Sequence, residues 1–379
     1  MPTSHHPRPT FAPSAVPSPL PLPAPLAAAA HGADAAGLIC GYLFDGEASS
    51  PPRPLDLDEA ALWLQEVANT RSEPGPHAGA AARAEPDDAS PYAWLHFNLS
   101  HAQAQRWLER HAGLPDSFYE ALREGTHSTR IERDDDALVA VINDLHFDFG
   151  FEPSDIATLW IGVGPRLVVT ARTRPLRSVD DLRLAVRTGE APRSTTELLE
   201  RLMRTQADVL VGVVRTVTGR IDAIEDALLA RRPDAQRARL GEMRRVLVRL
   251  QRLLAPEPAA LFRLLQRPPA WMAEADAQGL RDASEEFSVV LRDMHGLQER
   301  VKLLQEEIAA SVQEDNNRSL FVLTVVTVLA LPINILAGLF GMNVGGIPLA
   351  ENPHGFWHLV AIVATFTAVA AWLAFRKKK

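Results

Sequence analysis

The sequence predicts an α+β/α membrane protein: an α/β domain, a helical hairpin, and one very long stalk helix that continues into the first of two transmembrane helices. Three observations predict it. Strand-length apolar runs alternate with helical patterns through the first half of the chain. From about Leu280 a helical pattern runs on, with neither Pro nor Gly between Leu297 and the apolar end of the chain. Beyond Arg318 two long apolar runs follow, whereas nearly all the charge lies at or before that residue.

Composition sets the outer bounds. The 379 residues leave room for two or three domains. A net charge of −8 argues against a nucleic-acid partner, which would demand a basic face. Cys40 is the sole cysteine, which excludes an intrachain disulfide and a Cys-rich zinc site; beside a strand it reads as core filler.

Residues 1–36 form a Pro/Ala-rich leader, expected to be disordered because its repeated prolines forbid a helix. It lacks the basic start and unbroken apolar run of a signal peptide, and His5 and His6 within it read as tail. Residues 37–190 form the α/β domain, with strands expected over 37–44, 92–99, 137–142, 158–162 and 167–171 and helices over 58–67 and 102–110. Gly164-Pro165 marks a hairpin turn between the last two strands, and 73–90 is a Gly, Ala, Pro and Asp-rich loop insertion. Residues 191–279 form the helical hairpin, with arms at 195–230 and 234–254 around Arg232-Pro233. Pro256 and Pro258 are expected to kink its return arm, and Pro268-Pro269 to close it. Residues 280–340 form the stalk and first transmembrane helix, roughly 90 Å at 1.5 Å per residue. Its apolar stripe is Val290, Met294, Leu297, Val301, Leu304 and Ile308.

The segment 320–340 is long enough to cross the hydrocarbon core, and Pro332 is tolerated in such a span. After the loop 341–355 a second span covers 356–375, with Trp357 and Trp372 near its two interfaces, and 376–379 is a basic tail. Arg318 precedes the first span, Arg376 to Lys379 follow the second, and the loop carries no Lys or Arg. Both termini are therefore expected in the cytoplasm, with the loop outside and the tail acting as a topological anchor.

Two spans per chain cannot enclose an aqueous path, so the hairpin is either an anchor or one part of an oligomeric pore. Steps of three and four along the first span join Asn317, Leu320, Thr324, Thr327, Leu331, Asn334, Gly338 and Gly341. That seam gathers most of the segment's polar residues, as a pore lining would, although Thr and Asn also join helices to one another. Extended backwards it reaches Glu306, which would form a carboxylate ring in an oligomer or else stand as an ordinary solvated glutamate. Elsewhere there is no P-loop, dinucleotide fingerprint, nucleophile elbow or zinc-protease motif, and no enzyme is expected. His96 and His101 lack a third ligand and read as packing, and Asp134-Asp135-Asp136 as an exposed turn.

The first span ends in Gly341-Met342-Asn343, followed by a second span and a basic C-terminus. This arrangement, with the long preceding helix, resembles the signature of the CorA family of divalent-cation transporters. The following Val344-Gly345-Gly346-Ile347-Pro348 looks more like the ZntB zinc-transporter branch; the magnesium channels carry acidic residues soon after the motif, and here the first is Glu351. The resemblance covers about 38–379, the soluble part by architecture more than by motif. It implies a homopentameric funnel in a bacterial inner membrane, lined by the long helices, with Gly341, Met342 and Asn343 holding a hydrated ion at the outer mouth. It matches Asn317 and Asn334 to pore-facing polar positions, while Glu351 and His354 match nothing in the pattern. The implied cargo is zinc, or else magnesium, cobalt or nickel; no cofactor is implied.

Physical chemistry fits outer-sphere passage. The negative end of the first helix faces the mouth, and Asn343 is a neutral amide suited to an ion's water shell. The seam holds no His, Cys, Asp or Glu within the membrane, so bare zinc would find no ligands there, and selection among divalent ions is left open. His354 and His358, four apart, could touch zinc at the entrance or be plain loop and interfacial histidines; His358 is the nearest group to a proton relay. A membrane-anchored sensor or scaffold that conducts nothing is the reading from another class.

Overall fold

The computed structural model describes residues 32–47, 50–72, 90–125, 127–152, 154–229, 234–342 and 353–376. The expectations for most of the leader, for residues 73–89 of the insertion, for 343–352 and for 377–379 lie outside these residues. Strands β1 (Leu38–Phe44), β2 (Arg53–Pro54), β3 (Tyr92–Asn98), β4 (Arg130–Asp134), β5 (Ala137–Leu145), β6 (Ile156–Val163) and β7 (Leu167–Arg172) form one sheet in the order β2-β1-β3-β7-β6-β5-β4. Only the β3–β7 pair is parallel, with Ala93 opposite Leu167; every other pair in the sheet is antiparallel. The predicted hairpin joins β6 to β7, closed by the Gly164 N–H donating to the Leu167 carbonyl (2.8 Å).

Alternation along the strands fills both faces of the sheet. On β3, Tyr92 and Trp94 face one side, and Ala93, Leu95 and Phe97 the other. The second side is covered by α1 (Leu57–Ser72), α2 (Ala102–His111) and α3 (Asp116–Glu124), through Ala60, Ala104, Leu108 and Phe118. The first is covered by α4 (Arg177–Arg187), α5 (Thr195–Leu229), α7 (Pro256–Leu265) and the start of α8 (Glu274–Phe340), through Leu182, Leu199, Leu261 and Leu280. With both faces packed, β5 to β7 read as nearly unbroken apolar runs.

The helical arms run as α5 and α6 (Asp234–Leu254). Pro256 and Pro258 do not kink the return arm. They open a separate helix, α7, where Pro at the first position loses no hydrogen bond. The long helix starts at Glu274 rather than Leu280, with the Ala277 N–H already donating to the Ala273 carbonyl. It runs for 67 residues through Pro332, and α9 (Gly355–Arg376) follows with 22. The chain divides into two compact units: Met1–Asp222 with Gly241–Glu299, and Ala223–Leu240 with Arg300–Lys379. In the first, Val290, Met294 and Leu297 of the predicted stripe are buried. In the second, Val301, Leu304 and Ile308 are buried, and Arg300 donates twice to Glu225 at 2.8 and 2.5 Å.

Candidate functional site

The last third of α8 is rich in Leu, Val and Ala, and its most apolar stretch has no buried share. Among the described residues it is the one helix long and apolar enough to cross a membrane; within α9, Gly355–Val369 is a shorter apolar stretch. Along α8, exposure is not uniform. Phe321, Val325, Leu329, Ile333, Leu336 and Phe340 are half-buried and recur every three or four residues. Leu359, Val363 and Thr367 form a similar half-buried stripe on α9. At about 100° per residue the α8 stripe lies nearly opposite the predicted seam.

Every seam residue is exposed: Glu306, Asn317, Leu320, Thr324, Thr327, Leu331, Asn334, Gly338 and Gly341. Leu320 and Leu331 are 60% and 58% exposed, so apolar and polar seam positions alike stand open among the described residues. The two threonines bond inward to their own helix, Thr324 Oγ1 donating to the Leu320 carbonyl (2.8 Å) and Thr327 Oγ1 to Leu323 (2.9 Å). Each hydroxyl keeps its lone pairs for an outside donor, such as water around an ion. One turn before the apolar stretch, Gln313 Nε2 donates to Asn317 Oδ1 (3.1 Å).

The helix ends at Phe340, with the Gly341 N–H closing the last turn on the Ala337 carbonyl (2.9 Å). Carbonyls of that final turn lack intrahelical donors, leaving partial negative charge beside Gly341 and Met342. Asn343 and Glu351 lie outside the described residues. His354 and His358 are exposed at the start of α9, the His358 N–H donating to the His354 carbonyl (3.2 Å). Among the described residues no three or more His, Cys, Asp or Glu side chains gather as a metal site.

His96 belongs to a buried network. Its Nε2 accepts from Arg172 Nε (2.9 Å), which puts the ring proton on Nδ1, 2.8 Å from Thr170 Oγ1. Burial, then the nearby Arg172 and Arg183 charges, push its titration well below the usual histidine range. Arg172 in turn meets Asp180 (3.5 Å), which also faces Arg183 (3.6 Å). His101 instead precedes α2. Asp135 sits in the left-handed region (φ 49°) at the β4–β5 turn, and Cys40 packs against the core, where burial pushes its thiol up to about 12. Neither histidine is arranged as a ligand, and Cys40 is no thiolate nucleophile.

The profile of the CorA-like Mg2+ transporter proteins matches residues 90–377. The Divalent cation transporter CmaX of Pseudomonas aeruginosa is 29% identical over 286 residues, 75% of this chain and 86% of that one. The Zinc transport protein ZntB of Yersinia enterocolitica is 26% identical over 285 residues, 75% of this chain and 87% of that one. The solved structure of full-length CmaX superposes with a TM-score of 0.69 at 27% identity, covering 92% of this chain and 99% of that one. The soluble α/β architecture and the long helix are therefore those of a known transporter fold, and its relatives are ion carriers, not enzymes. A match across this much of the sequence shows that the chain belongs to the CorA-like Mg2+ transporter family.

Proposed function

We propose that the chain carries divalent metal ions across a membrane through a homopentameric pore, with zinc as its principal cargo. The observation that carries this reading is the exposed seam of α8, polar at Asn317, Thr324, Thr327 and Asn334 and turned away from the half-buried stripe. A lone helix in lipid would not keep its polar groups together on its barest face. Several copies turning that face inward would give an ion a path lined by hydroxyls, amides and carbonyls.

In this reading the end of α8 and α9 are the two spans, both termini are cytoplasmic, and Gly341, Met342 and Asn343 form the outer mouth. The ion passes with water still bound, because the seam offers no charged or imidazole ligand in the membrane to strip it. Glu306 adds a ring of carboxylates on the cytoplasmic side. The relative named as a zinc transport protein supports zinc; coupling to a proton gradient is part of this proposal, with His358 the nearest candidate relay. The family description, which names Mg2+, supports magnesium as the second reading.

Flux into liposomes holding the purified protein tests this, with zinc and with magnesium, each with and without a pH gradient. Zinc entry that grows with the gradient is expected. Fast magnesium entry indifferent to pH would overturn the choice of ion and the proton coupling. No flux of either metal from intact oligomers would favour a sensor or scaffold. Asn343→Ala should abolish transport with assembly intact, and retained flux would remove Asn343 from the mouth.

A further inference from the structure

Strand β4 ends at Arg130, opposite Val141, while β5 runs on to Leu145. Beyond Val141 the edge of β5 needs other partners, and at Asn143 two side chains supply them. Glu257 Oε1 accepts from the Asn143 N–H (3.2 Å), and Gln206 Nε2 donates to the Asn143 carbonyl (2.8 Å). Glu257 is 0% exposed and Gln206 1%. Their remaining atoms, Glu257 Oε2 and Gln206 Oε1, are buried without a hydrogen-bond partner, and both are oxygens. Turning the Gln206 amide over would only set its oxygen against the Asn143 carbonyl.

A buried carboxylate oxygen that accepts from no donor is unfavourable while it carries charge. A proton on Glu257 Oε2 removes that charge. The neighbouring Asp144 shows the contrast. It accepts from the Ser178 N–H (3.0 Å), the Ser178 hydroxyl (2.7 Å) and the Leu145 N–H (2.7 Å). Three donors oppose the cost of burying a charge on Asp144, and Glu257 Oε2 has none.

We propose that Glu257 is a proton-binding site: its carboxyl carries a proton on Oε2, so that the start of α7 and α5 both fasten to the open edge of β5 without a buried charge. Burial raises the Glu257 carboxyl well above its ordinary range and outweighs the lowering by the Asn143 N–H and the Gln206 amide; the Asp144 charge adds to the rise. The helix dipole at the start of α7 opposes this by less than about one pH unit. The other groups facing the site are Gln206 from α5, Thr158 from β6, and His127, linked through Thr158 (2.7 Å). Asp144 titrates at about 6, raised mainly by burial, so it contributes its own slope at lower pH. The site is independent of which ion the chain carries.

Unfolding of the full-length protein and of Glu257→Gln, followed from pH 5 to pH 9, tests the proposal. A carboxyl whose folded titration is raised binds a proton that the unfolded chain releases, so folding weakens as pH rises above the unfolded value. The wild-type folding constant should fall relative to Glu257→Gln by up to about tenfold per pH unit, until the folded carboxyl itself ionises. The Asp144 slope is common to both and cancels. Parallel curves would overturn the proposal. Should the variant not fold, infrared spectra of the wild-type chain decide. A protonated-carboxyl band at pH 7.5 that moves on labelling with 13C-glutamate supports it, and absence of that band overturns it.

Discussion

Inside the sheet unit, His96, Arg172 and Asp180 are almost fully buried and bonded to one another. Along the end of α8, Asn317, Thr324, Thr327 and Asn334 stand open, and the hydrogen bonds of the first three among the described residues lie within α8. The first group finds its partners among residues of the same chain. The second is left for something outside it. A polar side chain in a finished core is closed by its neighbours, and one that waits for water, an ion or another subunit is not.

The comparison can be broken most forcefully from the buried side. Asp180→Ala removes the carboxylate facing Arg172 and Arg183 and is expected to cost about 3–5 kcal/mol, read by thermal or denaturant unfolding. A loss within experimental error would mean that this network is not closed from inside. On the open side, Asn334→Leu is expected to lower metal flux about tenfold or more, a barrier increase of roughly 1.4 kcal/mol, with oligomer assembly unchanged. The control on the half-buried stripe, Ile333→Leu, should leave flux within about twofold. Equal effects from the two would erase the distinction between seam and stripe. The smallest effect is expected at a pair neither closed nor open, the half-exposed Arg300 and Glu225. A double-mutant cycle to Ala there should return about 0.2–1 kcal/mol, falling with added salt.

Strands β1, β3, β5, β6 and β7 are legible as apolar runs because each is buried on both sides. β4 is not. Its sequence, Arg-Ile-Glu-Arg-Asp, buries only Ile131, and its pairing with β5 comes from the hairpin rather than from its own pattern. α3 and α4 are short and charged, and their amphipathic stripes compete with turn signals at Pro115 and Pro175. The polar seam of α8 is legible because helical period alone assembles it. The Glu257 site is not, since Glu257 meets Asn143 across 114 residues and Gln206 meets it across 63. No local pattern shows that a strand edge ends there and needs a carboxyl.

The single parallel pair, β3 with β7, has a consequence for how the chain is made. Ala93 pairs with Leu167, so the middle of the sheet cannot close until a long intervening stretch has been synthesised. Contacts of that sequence separation form slowly, and until then β3 offers one unpaired edge to any strand that passes. Translation order limits the hazard: β7 leaves the ribosome before the apolar end of α8 is made. The sheet can therefore settle before that apolar end exists, and a pause in translation just before β7 would be the interval in which nascent copies are most prone to pair with one another.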